Sequence, residues 1–459
     1  MTTMEQLPPE YLAAFKDADI RGVYPSEIDE TLVHRIGYWL GSEWKLSEIV
    51  VARDMRLSSP VLHEALCLGL RQAGVKVHDL GLVSTPVLYF ASGEWEMWGV
   101  MLTASHNPAD YNGLKIVRPG AVPMTNATGL RTVKRLVKTA VPPDAKKQAP
   151  LKKRSLTLAY CNVMRRVVPL AQKPTVRVLA DAGNGMGATV LEKVASQSGL
   201  TVKTINQTLD GSFPARASNP MLKKNQRPIK KELKEKAYDL GIAFDGDGDR
   251  VAFFTPQGTM LNGAVVGAVI AAEILRDQPG ATCIDTVFTS RVYPETVRAA
   301  GGKLKRARVG HSYIKEQMRK HDAVFACEHS GHYYFRDNCY ADSSLLALFY
   351  FVRALQAAEG DLKRLLRPYQ RYHQTEEILI AVTDKKAVLT AVAEHYQTKV
   401  DTKVKLFDGV TVDRGTCWFT VKPSVTEDAL KFVVESENKA EAETTQKEVQ
   451  AFLDQFRRQ

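Results

Sequence analysis

Residues 242–250 read IAFDGDGDR, and this stretch joins an apolar run to a crowd of negative charge. It places Asp245, Asp247 and Asp249 at alternate positions, with glycine between them and an arginine directly after. Carboxylates this close repel one another, so at least one tends to hold its proton unless a positive charge compensates. The apolar run 238–244 predicts a buried strand, and α/β sheets bind their ligands at the carboxyl ends of strands.

The spacing of the three aspartates predicts a metal site. Glycine at 246 and 248 permits the tight backbone turns that let alternate side chains converge. Oxygen-only ligands suit a hard divalent cation, and Mg²⁺ is the expected one. An EF-hand also begins D-x-D-x-D, but Arg250 and Pro256 stand where that loop needs glycine and glutamate. A solvated acidic turn is the alternative interpretation.

The composition is that of a multidomain globular protein. The chain has 459 residues, of which 44% are hydrophobic, enough for several cores. Its net charge of +11 has two open explanations, a lysine-rich solvated surface or a field that attracts an anionic substrate. Nucleic acid is not expected as a partner, because no zinc-finger or RNA-binding motif accompanies the charge.

Neither a membrane span nor a secretory signal is expected. The most apolar helical run, 265–275, is far shorter than the ~20 residues that cross a bilayer. The start of the chain has no basic segment followed by an apolar one. The 6 cysteines form no CxxC motif, so we expect reduced thiols and a cytoplasmic protein.

Strand-like and helix-like patterns alternate along most of the chain, which predicts α/β layers. Strands are expected at 48–52 and 176–180, and the helices after them at 61–73 and 188–198. A proline-rich, charged segment at 139–150 predicts a linker. Together with turns at 255–258 and 366–368, it divides the chain into α/β domains 1–150, 151–254 and 255–368 and a smaller α+β domain 369–459 with a terminal helix at 445–456.

A second loop places Ser105 on a turn directly after the predicted strand 98–102. No G-x-S-x-G surrounds this serine, so a hydrolase nucleophile is disfavoured. A phosphoryl group on Ser105 would be a hard oxygen ligand for a magnesium ion held by the three aspartates. Phosphoryl transfer requires mainly positioning and charge neutralisation, which this set supplies. For an isolated Ser-His pair, a simple turn residue would be the better interpretation.

Two further loops carry polar groups at strand ends. After the apolar run 323–326, Glu328 and Ser330 can hydrogen-bond vicinal hydroxyls, and His332 can exchange a proton. Upstream, the segment 308–315 offers His311 and Lys315. The segment 421–427 brings a lysine, two hydroxyls and turn amides, which together suit a phosphate group. Each of these loops alone would also fit an ordinary polar loop.

Taken together and in this order, the loops resemble the α-D-phosphohexomutase superfamily, in particular its bacterial phosphomannomutase/phosphoglucomutase branch. The resemblance covers nearly the whole chain. It is carried by FKDADIRG at 15–22, RDMRLSS at 53–59, TASHNP at 103–108, DGDGDR at 245–250, EHSGH at 328–332 and PSVTE at 423–427.

The resemblance implies four domains around a central cleft, three of them α/β with mixed sheets and the last a smaller α+β domain. It implies that mannose or glucose 1-phosphate and 6-phosphate are interconverted through a phosphoserine and a hexose 1,6-bisphosphate, which also serves as activator. The expected partners are small hexose phosphates, and the expected state is a monomer or homodimer.

The resemblance also implies the site residues. The metal ligands would be Ser105, Asp245, Asp247 and Asp249. The catalytic set would be Ser105, Arg21, His106, Lys115, Arg250, His311 and His332. The substrate-binding set would be Glu328, Ser330, Lys422, Ser424 and Thr426.

Several positions depart from the family pattern. Lys422 stands where arginine is usual, so a bidentate grip becomes a point charge. Val425 stands where glycine or asparagine is usual and Asp428 where proline is usual, and Asp428 adds negative charge near the expected phosphate site. We therefore expect a mutase with weakened phosphate binding or a shifted substrate. The alternatives are a metal-dependent sugar phosphatase, although Asp249 does not fit the D-x-D-x-[TV] motif, and a non-catalytic sugar-phosphate binder.

Overall fold

The computed structural model of the chain describes residues 8–143, 147–195, 200–424 and 428–457. Contacts within the chain divide it into two units. The first comprises Met1–Gly263 and Ser330–Leu365, and the second comprises Ala264–His329 and Leu366–Gln459.

The N-terminal part of the first unit is built on a mixed 7-stranded sheet. Its strands are β1 (Ile20–Val23), β2 (Glu48–Arg53), β3 (Lys76–Leu82), β4 (Trp98–Leu102), β5 (Tyr111–Arg118), β6 (Val122–Pro123) and β7 (Leu151–Lys153). The order is β1-β5-β4-β2-β3-β7, with β6 paired to β5. Strands β4, β2, β3 and β7 are parallel to one another, whereas β5 runs antiparallel to β1 and β4.

The helices of this part are α1 (Pro9–Ala13), α2 (Glu30–Glu43), α3 (Ser59–Gln72), α4 (Thr85–Glu94) and α5 (Arg131–Thr139). Apolar residues on α2, α3 and α5 pack into one core with the inward side chains of the central strands. Burial of this apolar surface is what holds such layers together. The parallel order places the carboxyl ends of β2 and β4 at one edge of the sheet.

A second, 4-stranded sheet completes the domain that carries the acidic loop. It contains β8 (Val176–Asp181), β9 (Leu200–Ile205), β10 (Leu240–Phe244) and β11 (Val251–Phe254), with helices α6 (Thr157–Val167), α7 (Ala188–Ala195) and α8 (Arg227–Glu235). The order is β11-β10-β8-β9. Every residue of β10 is buried, so the chain leaves the core at Phe244 and the acidic loop forms the turn between β10 and β11.

The second unit begins with a parallel α/β arrangement. Its elements are α9 (Gly263–Asp277, whose first residue is the last of the first unit), β12 (Thr282–Asp285), α10 (Val292–Ala299), β13 (Lys303–Arg306), α11 (His311–Lys320) and β14 (Phe325–Cys327). Strand β12 pairs in parallel with both β13 and β14. Because β14 ends at Cys327, Glu328 follows directly at a strand end.

The chain then returns to the first unit through β15 (Tyr333–Phe335), β16 (Ala341–Asp342) and α12 (Ser344–Ala357), and α13 (Leu362–Leu366) follows. Strands β15 and β16 are antiparallel. The hydroxyl of Ser343 caps α12 by accepting a hydrogen bond from Leu346 N at 3.2 Å. This cap fixes the start of a helix whose side chains are almost all buried.

The C-terminal part of the second unit is an antiparallel sheet of β17 (His373–Gln374), β18 (Ile378–Ala381), β19 (Lys403–Leu406), β20 (Val410–Asp413), β21 (Cys417–Pro423) and β22 (Ala429–Ser436), with helices α14 (Lys385–Gln397) and α15 (Lys439–Asp454). The order is β17-β22-β21-β20-β19, and β18 also pairs with β22. Helix α15 begins earlier than the predicted 445–456, because Asn438 Oδ1 accepts a hydrogen bond from Ala440 N at 2.8 Å and so caps a new N-terminus.

Most predicted strands lie within one or two residues of observed ones, and β4 has the predicted bounds. Helix α7 starts at the predicted Ala188, but the end of the predicted 188–198 lies outside the described residues. Within the described residues, the chain has no helix with both the length and the apolar character to cross a membrane.

Candidate active site

The acidic loop follows the buried strand β10 and is itself buried. Asp245, Asp247 and Asp249 are at most 1% exposed. Each offers a carboxylate oxygen, and these oxygens lie within 4.8 Å of one another. Gly248 has φ 74°, a left-handed conformation that favours glycine, and so the turn brings alternate side chains to one side.

Polar atoms in this loop lack partners, which fits a bound cation. Among the described residues, Asp247 Oδ1 and Asp249 Oδ1 are buried without a hydrogen-bond partner. Burial and the two neighbouring carboxylates raise the pKa of Asp245 well above its usual range. Oxygen ligands and excess negative charge are what a divalent metal ion requires, so these three residues could hold one.

Lys115 on β5 and Arg250 supply part of the compensating charge. Lys115 Nζ lies 2.7 Å from Asp247 Oδ2 and 2.5 Å from Asp249 Oδ2. Burial alone would lower the pKa of Lys115, but these two carboxylates outweigh it and raise the pKa well above its usual range. Arg250 Nε lies 3.8 Å from Asp245 Oδ2. Two cations against three carboxylates leave net negative charge for a metal ion.

Two side chains that the sequence did not indicate hold the acidic loop in place. Thr85, at the start of α4, donates from Oγ1 to Asp247 Oδ2 at 2.6 Å, and its N–H donates to the carbonyl of the same aspartate at 3.0 Å. Ser344, the first residue of α12, donates to the Gly248 carbonyl at 2.7 Å. Both lie far from the loop in sequence, so no local pattern could have identified them.

Ser105 points at the acidic loop, as predicted. Its Oγ donates to Asp245 Oδ2 at 2.9 Å and lies 3.3 Å from His106 Nδ1. The residue is 1% exposed and has φ 51°, a left-handed conformation that is strained for serine. The loops approach so closely that a Cβ at Gly246 would lie 2.6 Å from the Ser105 carbonyl oxygen, and this contact requires glycine there.

The side chain of Arg56 holds the serine loop in place. It is fully buried, and its guanidinium donates to the carbonyls of Ser105 (2.9 Å), Asn107 (2.7 Å), Pro108 (2.5 Å) and Tyr111 (2.8 Å). Its Nε lies 3.3 Å from Asp54 Oδ2, which balances the buried charge. The planar fork of arginine suits such a multidentate contact, and lysine could not reproduce it.

Arg21 and His106 border the serine. Arg21 donates from Nη1 to Asn107 Oδ1 at 2.9 Å and from Nε to Asp19 Oδ2 at 2.8 Å, which fixes its orientation. Burial lowers the pKa of His106 well below its usual range, and the nearby positive charges of Arg250 and Arg21 lower it further. The imidazole is therefore neutral at pH 7 and can accept or donate a hydrogen bond.

His332 lies on the same side of the first unit as the aspartates. Its Nδ1 is 3.1 Å from Asp342 Oδ2 and 3.9 Å from Asp249 Oδ1, and its ring stacks on Tyr334 with centroids 5.8 Å apart. The partner Asp342, which the sequence did not indicate, belongs to the short strand β16. Ser330 is half-buried in the loop that leads to His332.

The second unit carries two more of the predicted site residues at the ends of its α/β elements. Glu328 is 5% exposed and follows β14, and His311 is the first residue of α11. Lys315, on the same helix, is fully buried. His329, beside Glu328, has Nε2 3.2 Å from Glu377 Oε2 and packs edge-on against Phe288.

The predicted phosphate loop follows β21 in the second unit. Lys422 and Ser424 are 3% and 4% exposed, whereas Thr426 lies outside the described residues. Burial lowers the pKa of Lys422, and Asp408 opposes that effect. Asp428, the acid that the sequence suggested would disturb this loop, is 76% exposed and pairs with Lys385 at 3.5 Å.

The predicted site residues therefore divide between the two units. The first unit brings the three aspartates together with the serine, three basic side chains and two histidines, and these residues are Ser105, Arg21, Lys115, Arg250, His106 and His332. Ser330 also belongs to this unit. The second unit holds His311, Glu328, Lys422 and Ser424.

Comparison with known proteins agrees with this geometry. Models of the phosphoglucomutase/phosphomannomutase alpha/beta/alpha domains I, II and III match residues 12–141, 159–258 and 262–372. A protein of Xanthomonas campestris pv. campestris named "Phosphohexose mutases" is 34% identical over 431 residues, which are 94% of this chain and 96% of the relative. The chain belongs to the phosphoglucomutase/phosphomannomutase family.

Another member of the phosphoglucomutase/phosphomannomutase family, a phosphomannomutase of Salmonella typhimurium, is 33% identical over 434 residues, 93% of this chain and 95% of the relative. The crystal structure of a family protein from Burkholderia thailandensis matches with a TM-score of 0.87 at 27% identity, covering 96% of this chain and 97% of that one. The predicted fold class is thereby confirmed: three α/β domains and a smaller C-terminal α+β domain. The chain is a phosphohexomutase, a mutase that transfers phosphoryl groups.

Proposed function

We propose that this phosphohexomutase interconverts the 1-phosphate and 6-phosphate of mannose, glucose or both, through phospho-Ser105 and a hexose 1,6-bisphosphate. The observation that carries the proposal is the position of Ser105 Oγ, 2.9 Å from a carboxylate oxygen of a buried three-aspartate metal site. Strained turns of this kind cluster at functional sites, and the hydroxyl that this turn holds is well placed to carry a phosphoryl group.

The metal is proposed to be Mg²⁺, held by Asp245, Asp247, Asp249 and an oxygen of Ser105 or its phosphoryl group. When bound, it would neutralise charge on the phosphoryl oxygens during transfer. The few carboxylates and the phosphate oxygen are the mixture that magnesium prefers. The hexose 1,6-bisphosphate is proposed both as the intermediate and as the activator that returns dephosphorylated enzyme to the cycle.

In the first half-reaction, a substrate hydroxyl attacks phosphorus, its new P–O bond forms, and the bond between phosphorus and Ser105 Oγ breaks, so that Ser105 Oγ leaves as an oxyanion and takes up a proton from water. We assign the proton of that hydroxyl to His332, which Asp342 orients. The positive charges of Lys115, Arg250 and Arg21 would stabilise the transferring group, with His106 as a neutral hydrogen-bonding neighbour. In the second half-reaction, Ser105 Oγ attacks the other phosphate of the bisphosphate, and the bond between that phosphorus and the sugar oxygen breaks.

The remaining predicted roles concern the sugar and the phosphate that does not react. Glu328 and Ser330 are proposed to hydrogen-bond sugar hydroxyls, and His311 to assist. Lys422, Ser424 and Thr426 are proposed to bind the second phosphate, since one cation and two hydroxyls suit its oxygens.

The domain boundaries, the cellular location and the oligomeric state complete the proposal. The domain boundaries 1–150, 151–254, 255–368 and 369–459 are supported by the three family models and by the separate C-terminal sheet. A cytoplasmic location is supported by 6 cysteines that form no disulfide. The protein is proposed to act as a monomer or homodimer on free hexose phosphates.

The test combines mass and turnover. Intact mass before and after phosphatase treatment should reveal one phosphate, mapped to Ser105. Coupled assays primed with bisphosphate should show turnover of glucose 1-phosphate or mannose 1-phosphate. The Ser105→Ala variant should carry no phosphate, and its activity should fall about 1,000-fold or more. The Ser212→Ala variant, changed at an exposed serine, should keep the phosphate and the activity of the native chain.

The proposal fails if fully phosphorylated protein turns over neither substrate, nor glucosamine 1-phosphate. Stoichiometric release of inorganic phosphate without an isomerised sugar would instead indicate a phosphatase.

A further inference from the structure

The turn between β19 and β20 packs closely against the end of β21, where the predicted phosphate loop of the second unit begins. This turn consists of residues 407–409, since Leu406 pairs with Val410. A Cβ at Gly409 would lie 2.3 Å from the Val421 carbonyl oxygen and 2.8 Å from Lys422 Cα. Only glycine permits this approach, and it brings the preceding residue, Asp408, against the side chain of Lys422.

Asp408 is a buried acid held between two cations. Its side chain is 4% exposed. Its Oδ2 lies 3.8 Å from Lys422 Nζ, and its Oδ1 accepts a hydrogen bond from Arg308 Nε at 3.4 Å. The carboxylate is fixed from a third side, because Oδ2 also accepts from Val309 N at 2.8 Å. An anion bound by a lysine, an arginine and a backbone N–H has the surroundings of a bound phosphate.

Lys422 has little else to neutralise it. Its ammonium donates to the Pro423 carbonyl at 3.2 Å and lies 6.0 Å from the centre of the Phe288 ring. Other charges that act on Lys422 include those of Lys431, Glu328 and Glu377. Lys431 Nζ is itself 2.8 Å from Glu377 Oε1, so these two largely offset each other. Asp408 is thus the acid that faces the proposed phosphate ligand most directly.

We propose that the Asp408 carboxylate competes with the substrate's non-reacting phosphate for Lys422 and Arg308, and so sets the phosphate affinity of this loop. The inference rests on the proposed role of Lys422 as a phosphate ligand. A phosphate that reaches Lys422 must share or displace the ion pair with Asp408, and the carboxylate also repels it. Weak phosphate binding is then a property of a buried residue rather than of the exposed Asp428.

The backbone provides a conservative substitution for the test. Asp408 has φ 50°, a left-handed conformation that asparagine tolerates as well as aspartate. Asp408→Asn keeps an acceptor for the Val309 N–H and removes only the charge. Asp401→Asn is the matched control, because Asp401 is exposed in the same domain and has φ 58°. It loses the same charge in the same backbone conformation, away from Lys422.

Calorimetric titration of the full chain with glucose 6-phosphate, and separately with inorganic phosphate, measures the affinity without requiring turnover. We expect Asp408→Asn to lower the Kd for glucose 6-phosphate about 10-fold, and Asp401→Asn to leave it unchanged. In a Lys422→Met background, Asp408→Asn should gain much less, since the cation freed by the first change is absent. Asp408→Gly, which also tolerates the turn, should reproduce the tightening.

An unchanged or weaker Kd in both Asp408 variants, with thermal unfolding like that of the native chain, would overturn the inference and make Asp408 a support for Lys422. Equal tightening by Asp401→Asn would also overturn it, since the effect would then be one of general charge. Mutase assays on the same samples judge the proposed function separately. A native chain that lacks turnover but binds glucose 6-phosphate more tightly after Asp408→Asn would refute the function alone.

Discussion

The serine–aspartate site of the first unit and the Lys422 loop of the second are both buried and charged, but they are built differently. In the first, Arg56, Thr85 and Ser344 hold the serine loop and the acidic loop in place. The hydrogen bonds of this site are 2.5–3.1 Å long. In the second, the Lys422 ammonium lies 3.8 Å from the carboxylate of Asp408, which also accepts hydrogen bonds from Arg308 Nε at 3.4 Å and Val309 N at 2.8 Å. If the two sites have the roles proposed above, the reacting groups are held in fixed positions, while the binding of the second phosphate is adjustable.

The difference has an energetic origin. Buried charges are tolerated when each has partners with good geometry, and breaking such a set is strongly destabilising. The serine loop of the first unit has such partners in Arg56 and its ion pair with Asp54, so substitutions there disturb folding as well as chemistry. A long, partly satisfied ion pair such as that of Lys422 contributes little to stability. Residues there can be exchanged with small effects on the fold and direct effects on binding.

The comparison predicts its largest effect at Arg56. Arg56→Met removes hydrogen bonds to four carbonyls of the serine loop and leaves Asp54 buried without its cation. We expect a loss of about 3–5 kcal/mol in the free energy of unfolding. We also expect turnover to fall about 100-fold, because Ser105 is no longer held in its strained turn. Urea unfolding and a coupled assay on glucose 1-phosphate measure the two effects.

The matched control for this prediction is Arg71→Met, which removes a single side-chain hydrogen bond, 2.7 Å to the Ala149 carbonyl, from the same domain. We expect about 1 kcal/mol of lost stability and unchanged turnover. If Arg56→Met behaved like this control, the serine loop would be self-supporting and the contrast between the two units would disappear.

A middle-sized effect is predicted at Asp342, which orients His332 within the first unit at 3.1 Å. Asp342→Asn keeps the shape but removes the charge that fixes the ring. We expect kcat to fall about 10-fold with KM nearly unchanged, since the loss concerns a group used during transfer and not in binding. Steady-state kinetics on mannose 1-phosphate separate the two constants. Asp337→Asn, at an exposed position in the same segment, should change neither.

An equal rise in KM would contradict this role of Asp342, because it would place the residue in substrate binding.

The smallest effect is predicted at a surface ion pair of the second unit. The Arg414 guanidinium and Lys399 hold the pKa of Glu448 to about 2, below its ordinary 4.5. A depressed carboxyl pKa stabilises the fold above pH 4.5, and this contribution disappears as the pH falls towards 2. Glu448 is 39% exposed, so we expect Glu448→Gln to lower the stability at pH 7 by only about 1 kcal/mol.

Urea unfolding at pH 7 and pH 3 measures this difference, which should shrink at the lower pH. Glu443→Gln is the control, since Glu443 lies on the same helix with only a 3.8 Å contact to Lys439 and is 58% exposed. A difference that grew on acidification would show that Glu448 does not stabilise the fold as a carboxylate.

Features that a short segment of the chain determines by itself were predicted well from the sequence. An apolar run followed by alternating aspartates and glycines predicts both a buried strand and a loop with convergent carboxylates, and β10 and the acidic loop have these properties. The turn at Ser105 could be predicted for the same reason, since its strand and its turn-forming neighbours are adjacent in the chain.

What the sequence could not indicate are partners that only folding brings together. Thr85 and Asp342 each contact the site across a large sequence separation, and neither has a local pattern that would single it out. Arg56 lies within the 53–59 stretch that carries the resemblance, but its contacts with the serine loop could not be predicted from that stretch. The acid beside Lys422 is a second example. Nearness in sequence pointed to Asp428, but the β19–β20 turn brings Asp408 there instead, and Asp428 is directed to solvent and Lys385.

The near-complete burial of Ser105, at 1% exposure, limits which molecules can modify it. A protein kinase binds its target residue within an extended, accessible segment, and the φ 51° turn clamped by Arg56 cannot supply one. A small sugar bisphosphate needs only enough space for one phosphate group. If Ser105 carries the proposed phosphoryl group, its modification should therefore follow the supply of the proposed bisphosphate intermediate, so that metabolite levels, and not signalling enzymes, would decide how much of the protein is ready to react.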